Sequence, residues 1–257
     1  SDPHRDVSRP GRLGNPEMTM LDDMRLDPRV RKAMSGMPAG DPAALLPQVS
    51  LSSSYEDCLQ WVAAMETLHN EQDSAMLAAM PDFSDVTTEK RTIVSDEGDE
   101  IDLFIERPKE AVGVLPCVVH IHGGGMAFTT AMAAGATRWR KTLVQQGLVV
   151  VAVEFRNSGG ELGNHPFPAG LDDCATAIQW VNKNRSVLNI SSLVVAGESG
   201  GGNLAVAVAI KANVEGWVDV IDGVYAMAPM ILGFYTSVPN ELLSWRENEG
   251  YQGTREV

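Results

Sequence analysis

The chain has 257 residues, 44% hydrophobic and 21% charged, a make-up that fits a globular protein with a sizeable core and excludes a disordered or fibrous one. A formal net charge of −14 argues against nucleic acid and anionic membrane surfaces as partners, since both select clustered cations. Three widely spaced cysteines, without C-x-x-C or histidines at ligand spacing, suggest no metal and fit free thiols in a reducing, cytoplasmic setting.

In chain order, residues 1–20 are rich in Pro, Gly and charge and read as a loose arm. No intact signal peptide is visible there, and no stretch of the chain is apolar enough to span a bilayer. Asp27-Pro28 is a helix start, with Asp as N-cap and Pro at the first helical position. Val30, Ala33 and Met34 follow as a short apolar stripe, broken by Gly36, Pro38, Gly40 and Pro42. Ser53-Ser54-Tyr55-Glu56 reads as a capping box before a long helix that ends near Pro81. Residues 1–86 are therefore expected to form an arm and a helical cap, or else a helical hairpin that only packs on the core.

From Thr87 the hydrophobic period shortens to two. Residues 91–94 and 101–106 read as strands around the turn Ser95–Asp99. Residues 114–121 form a nearly continuous apolar run, expected to be a central strand buried on both faces. A helix is expected over 137–146, with Gly147 just past its end, then a buried strand over 148–153. Pro168 opens a helix with Leu171, Cys174, Ala175, Ile178 and Val181 on one face. Asp172 and Asp173 at its start are explained by the helix dipole. Cys117 and Cys174 read as small core residues. Strand 193–196, helix 204–212 and strand 223–228 complete the pattern. Strand and helix alternate over 115–228, so the expected class is α/β: a mostly parallel sheet with helices on both faces, over residues 87–257.

Two motifs carry chemistry. The first is Gly197-Glu198-Ser199-Gly200-Gly201-Gly202, which follows an apolar strand and precedes an apolar helix. A strand–turn–helix with serine at its apex is what a G-x-S-x-G nucleophile elbow requires. An inert glycine-rich turn would look the same, so a second signal has to decide. It comes from His122-Gly123-Gly124-Gly125, at the carboxyl end of the 114–121 strand. Ligands of open α/β sheets bind outside the carboxyl ends of the strands, so both motifs face one crevice. Glycines leave backbone N–H groups unshielded, and such donors stabilise a tetrahedral oxyanion. The expected nucleophile is Ser199, and the expected donors are the N–H groups of Gly123, Gly124 and Gly200.

With His120-Ile121-His122-Gly123-Gly124-Gly125-Met126, His165-Pro166-Phe167-Pro168-Ala169 and Gly197 to Leu204 in place, the chain resembles the hormone-sensitive-lipase-like (bacterial family IV) esterases of the α/β-hydrolase fold, from about Thr87 onward. The resemblance implies hydrolysis of short- to medium-chain carboxylic esters through an acyl-enzyme, with a small-molecule ester as partner and no cofactor. It implies that His122 supports the oxyanion loop, that His165 is structural, and that homo-oligomers occur. His120 is expected to be a satisfied core histidine. Glu198 and Gly200 stand where the family most often has Asp and Ala, two mild departures.

A serine hydrolase also needs a base and an acid, which in this fold follow the serine. No histidine follows Ser199. The expectation is that the acid–histidine pair lies in a segment beyond residue 257, carried with the rest of the fold. The competing reading is a non-catalytic small-molecule-binding member of the same fold.

Overall fold

The computed structural model describes residues 13, 15, 18–35, 49, 50 and 52–231. The expectations for most of the N-terminal arm, for the breakers at 36–42 and for 232–257 lie outside these residues. The chain divides into two compact units, residues 1–61 with 232–257, and residues 62–231.

In the first unit, α1 (Pro28–Met34) begins as expected: the Asp27 side chain accepts from Arg29 N at 2.8 Å, and proline stands at the first position. Helix α2 (Tyr55–Ala78) starts on a capping box one residue later than the sequence suggests. Asp57 N donates to Ser54 Oγ at 3.1 Å, and Ser54 N donates back to Asp57 at 3.2 Å. Asp57 serves as the acidic partner in place of Glu56. The division between units falls inside α2, so its residues from Val62 onward belong with the sheet.

The second unit is built on β1 (Val86–Val94), β2 (Glu100–Pro108), β3 (Leu115–Ile121), β4 (Val149–Glu154), β5 (Ile190–Glu198) and β6 (Gly223–Met227), in the order β1-β2-β4-β3-β5-β6. Strands β1 and β2 are antiparallel to their neighbours, whereas β4, β3, β5 and β6 run parallel. Val119 of β3 faces Val151 on one side and Val195 on the other. The period-two alternation sorts the side chains into two layers. Cys117, Val119, Ile121, Val151 and Val195 pack with Ile178 of α4 (Ala169–Lys183) and Val208 of α6 (Gly200–Glu215). Val118, Val150 and Ala196 pack on the other face with Val144, Trp139 and Leu143 of α3 (Ala134–Gln145). The short α5 (Arg185–Leu188) leads into β5.

Several boundaries differ from expectation, three of them for identifiable reasons. Strand β1 begins at Val86 instead of residue 91, because its first half is polar, exposed edge strand without an apolar signal. Helix α3 starts at Ala134, three residues early, where Asp73 of α2 accepts from Ala134 N at 2.6 Å and so supplies the cap. Helix α6 starts at Gly200, not residue 204: the glycine run is the first helical turn.

The core also holds charges that periodicity does not show. Arg140 and Glu106 are both fully buried and joined at 3.0 Å. Asp173 is buried as well and binds Arg156 through its guanidinium at 2.8 Å and its backbone N at 2.8 Å, so the helix dipole is not its main role. Asp172 is partly exposed and pairs with Lys211 at 3.3 Å. No helix among the described residues is long and apolar enough to cross a membrane.

Candidate active site

Strand order reverses at β3, which lies between β4 and β5. Consecutive crossovers therefore leave β3 in opposite directions and open a crevice at its carboxyl end. The segment after β3 carries Gly123–Gly125, and the residue after β5 is Ser199.

Ser199 has φ 52° and ψ −117°, outside the regions a serine normally occupies. Its surroundings hold it there. Ser199 N donates to Met227 O at 3.0 Å, and Ser199 O accepts from both Asn203 N and Met230 N at 3.0 Å. The turn closes because its neighbours have no Cβ. A Cβ on Gly201 would lie 2.0 Å from Ile121 O, and one on Gly197 would lie 2.3 Å from Gly201 O. The serine is left exposed at the tip.

The segment after β3 reaches the same place: a Cβ on Gly123 would sit 3.7 Å from Ser199 Cβ. Gly124 adopts φ 92°, and a Cβ there would lie 2.2 Å from Phe128 O. The turn is closed by Ala127 N and Phe128 N, both donating to Gly124 O. The three expected donors are not equivalent. Gly123 N, expected from sequence as an oxyanion donor, donates to Glu198 Oε1 at 3.0 Å. The N–H groups of Gly124 and Gly200 have no acceptor among the described residues, and Gly200 opens α6, where the first N–H groups lack helical partners. Gly200 is also no mild departure. A Cβ there would meet Met126 N at 2.7 Å and Gly125 N at 2.8 Å, so the chain closes too tightly on this position for alanine.

His122 is buried and stacks on Phe155, with ring centroids 4.3 Å apart. Its Nδ1–H donates to Gly123 O at 2.8 Å, and its Nε2 lies 3.5 Å from Glu154 Oε1. Glu154 in turn accepts from Ala131 N at 2.8 Å. His120 is only half satisfied: its Nε2 bonds Glu198 Oε2 at 2.7 Å, and its buried Nδ1 has no hydrogen-bond partner among the described residues. Burial depresses the His120 pKa, against the opposing pull of Glu198, and leaves the ring neutral. Burial would raise the Glu198 pKa, but hydrogen bonds from His120 and Gly123 N outweigh it, and the carboxyl stays below its ordinary range. The pair is a neutral imidazole donating to a carboxylate.

His165 is exposed in the loop after β4, with its N–H bonded to Asn157 O at 3.0 Å. His69, on α2, meets the edge of Phe128 at 6.0 Å. Glu66, also on α2, was not singled out by sequence. It is buried and accepts from Thr129 N at 3.0 Å and Glu161 N at 2.6 Å, one donor from the loop after β3 and one from the loop after β4. Its polar character on a helix of weak periodicity gives no sequence signal. A cleft of about 390 Å³ lies beside the paired ends of β2 and β4, and its lining includes neither Ser199 nor Gly123–Gly125. Among the described residues, no group of three or more His, Cys, Asp or Glu is placed to hold a metal.

With this geometry established, the comparisons agree with one another. Residues 118–256 match a family described as alpha/beta hydrolase fold. The chain is similar to hormone-sensitive lipase of Bos taurus, 32% identical over 141 residues, covering 54% of this chain and 18% of the lipase. It is similar to carboxylesterase NlhH of Mycobacterium tuberculosis, 33% identical over 123 residues, covering 47% of this chain and 37% of that protein. Among solved structures it resembles brefeldin A esterase, a bacterial homologue of human hormone-sensitive lipase, with TM-score 0.83 and 38% identity over 96% of this chain and 70% of that one. The chain thus spans well under half the length of these curated relatives, although it covers most of the solved esterase. An elbow serine after β5, a triple glycine after β3 and these similarities lead to one conclusion: the chain belongs to the hormone-sensitive-lipase-like (family IV) esterases of the α/β-hydrolase superfamily.

Proposed function

We propose that the whole protein is a serine carboxylesterase acting on short- to medium-chain esters, with Ser199 as nucleophile. The strained, exposed Ser199 beside Gly123 supports this reading, since a nucleophile elbow holds its serine on such a strained strand-to-helix turn. Ser199 Oγ attacks the ester carbonyl, and the carbonyl oxygen becomes an oxyanion facing the N–H groups of Gly124 and Gly200. Collapse releases the alcohol and leaves an acyl-serine, which water then hydrolyses. His122 supports the loop through Gly123 O. The base that takes the Ser199 proton and the acid that orients it fall outside these 257 residues in this reading. His120 is unsuited to serve as that base, because its Nε2 is held by Glu198 and its ring is buried.

The test is turnover of p-nitrophenyl acetate and butyrate by the whole protein and by Ser199→Ala. The expected result is turnover that the substitution reduces by at least about a thousandfold, the scale on which loss of a nucleophile is felt. Equal turnover by the variant would remove Ser199 from the mechanism. A whole protein with no turnover would favour a binding-only member of the fold.

A further inference from the structure

We propose that Glu198 is a positioning residue, a latch that ties the oxyanion loop to the nucleophile strand through Gly123 N–H, with His120 as its buried partner. The proposal rests on the esterase reading of Ser199. Glu198 is the last residue of β5, so its backbone is fixed by the central sheet immediately before the nucleophile. Its two carboxylate oxygens are divided between two jobs. Oε1 accepts from Gly123 N, 75 residues away in sequence, and Oε2 accepts from His120 Nε2 on β3. His120 and Gly123 lie on either side of the bend where β3 leaves the sheet. The carboxylate therefore pins the strand end and the first glycine of the loop to one rigid point.

That geometry decides what Gly123 does. Its N–H is spent on the latch and its C=O on His122 Nδ1, so both of its backbone polar groups are fixed. The next residue, Gly124, turns to φ 92°, and neither its N–H nor that of Gly200 has an acceptor among the described residues. Glu198 thus never touches substrate. It sets where the Gly124 donor stands relative to Ser199, and donors aimed at a developing oxyanion act only when placed to within a fraction of an ångström.

Glutamine at 198 is the isosteric test. It offers one acceptor oxygen where the carboxylate offers two, so either Gly123 N–H or His120 Nε2–H must face an NH2 group. His120 cannot relieve this cheaply by moving its proton to Nδ1, because Nδ1 has no partner among the described residues. In the whole protein, Glu198→Gln is expected to lower kcat on p-nitrophenyl butyrate by about tenfold or more with KM within about twofold, because the loss falls on oxyanion placement and not on binding. Glu198→Asp, which keeps both oxygens, should recover part of kcat. Phosphonylation of Ser199 by a fluorophosphonate should persist in both variants. Hydrogen exchange at the Gly123 amide, slow in the parent, should quicken in Glu198→Gln whether or not esters turn over, which separates the latch from the esterase reading. Unchanged kcat with unchanged exchange at Gly123 would overturn the proposal. So would a higher kcat, which would make a freed Gly123 N–H the better donor.

Discussion

Gly200 shows how tightly single atoms govern this site. A methyl group there would press on Met126 N and Gly125 N, the backbone that follows Gly124. Gly200→Ala is expected to leave the protein folded but to lower kcat by about tenfold or more, because the loop must back away from the helix N-terminus that carries the second proposed donor. Steady-state kinetics beside a melting curve would check it, and an unchanged kcat would mean that the loop yields without cost. The cysteines follow a simpler rule. Burial raises the Cys117 thiol to about 12 and the Cys174 thiol well above its ordinary value. In the native protein at pH 8, a thiol reagent should therefore leave both unmodified, while half-buried Cys58 can react. Rapid modification of Cys174 before unfolding would contradict that burial.

Among the elements, α2 has a clearer structural part than its sequence suggests. Glu66 satisfies Thr129 N and Glu161 N, and Asp73 caps α3 through Ala134 N. Glu66→Ala would orphan the buried Thr129 donor and the partly buried Glu161 donor, at a cost of about 1–3 kcal/mol. Urea unfolding would measure it, and a loss below about 0.5 kcal/mol would mean that the loops find other acceptors. These links explain which parts of the fold were legible. Strands β3, β4 and β5 announce themselves as apolar runs because they are buried on both faces. Helix α4 does so through Cys174, Ile178 and Val181 on one stripe. The start of β1 does not, since an exposed edge strand has no reason to be apolar. Glu66, Glu198 and the Arg140–Glu106 pair were illegible for one shared reason. Their partners lie 34 to 95 residues away, and a carboxylate that binds a distant N–H looks in sequence like any surface acid. Ser199, Gly124 and Gly200 were legible because backbone strain and close approach restrict residue type locally.

Across the whole molecule, His120 and Glu198 are two groups through which folding responds to pH. The folded protein depresses the pKa of His120, chiefly by burial, with Glu198 opposing and Arg140 and His122 adding to the depression. Below the ordinary histidine value of 6.5 the unfolded chain takes up a proton that the folded one refuses, so stability falls as pH drops. Glu198, also depressed, adds to the loss below its ordinary value of 4.5. His120→Gln should flatten the stability profile below the ordinary histidine value of 6.5, as read by denaturant midpoints. An unchanged slope would assign the effect to other groups. The proposed chemistry depends on one atom, Ser199 Oγ. A fluorophosphonate probe applied to the whole protein, followed by digestion and mass spectrometry, reports which side chain is phosphonylated. The structure predicts an adduct on the peptide containing Ser199 and none in Ser199→Ala. An adduct on another residue, or ester turnover that persists with Ser199 unlabelled, would contradict it.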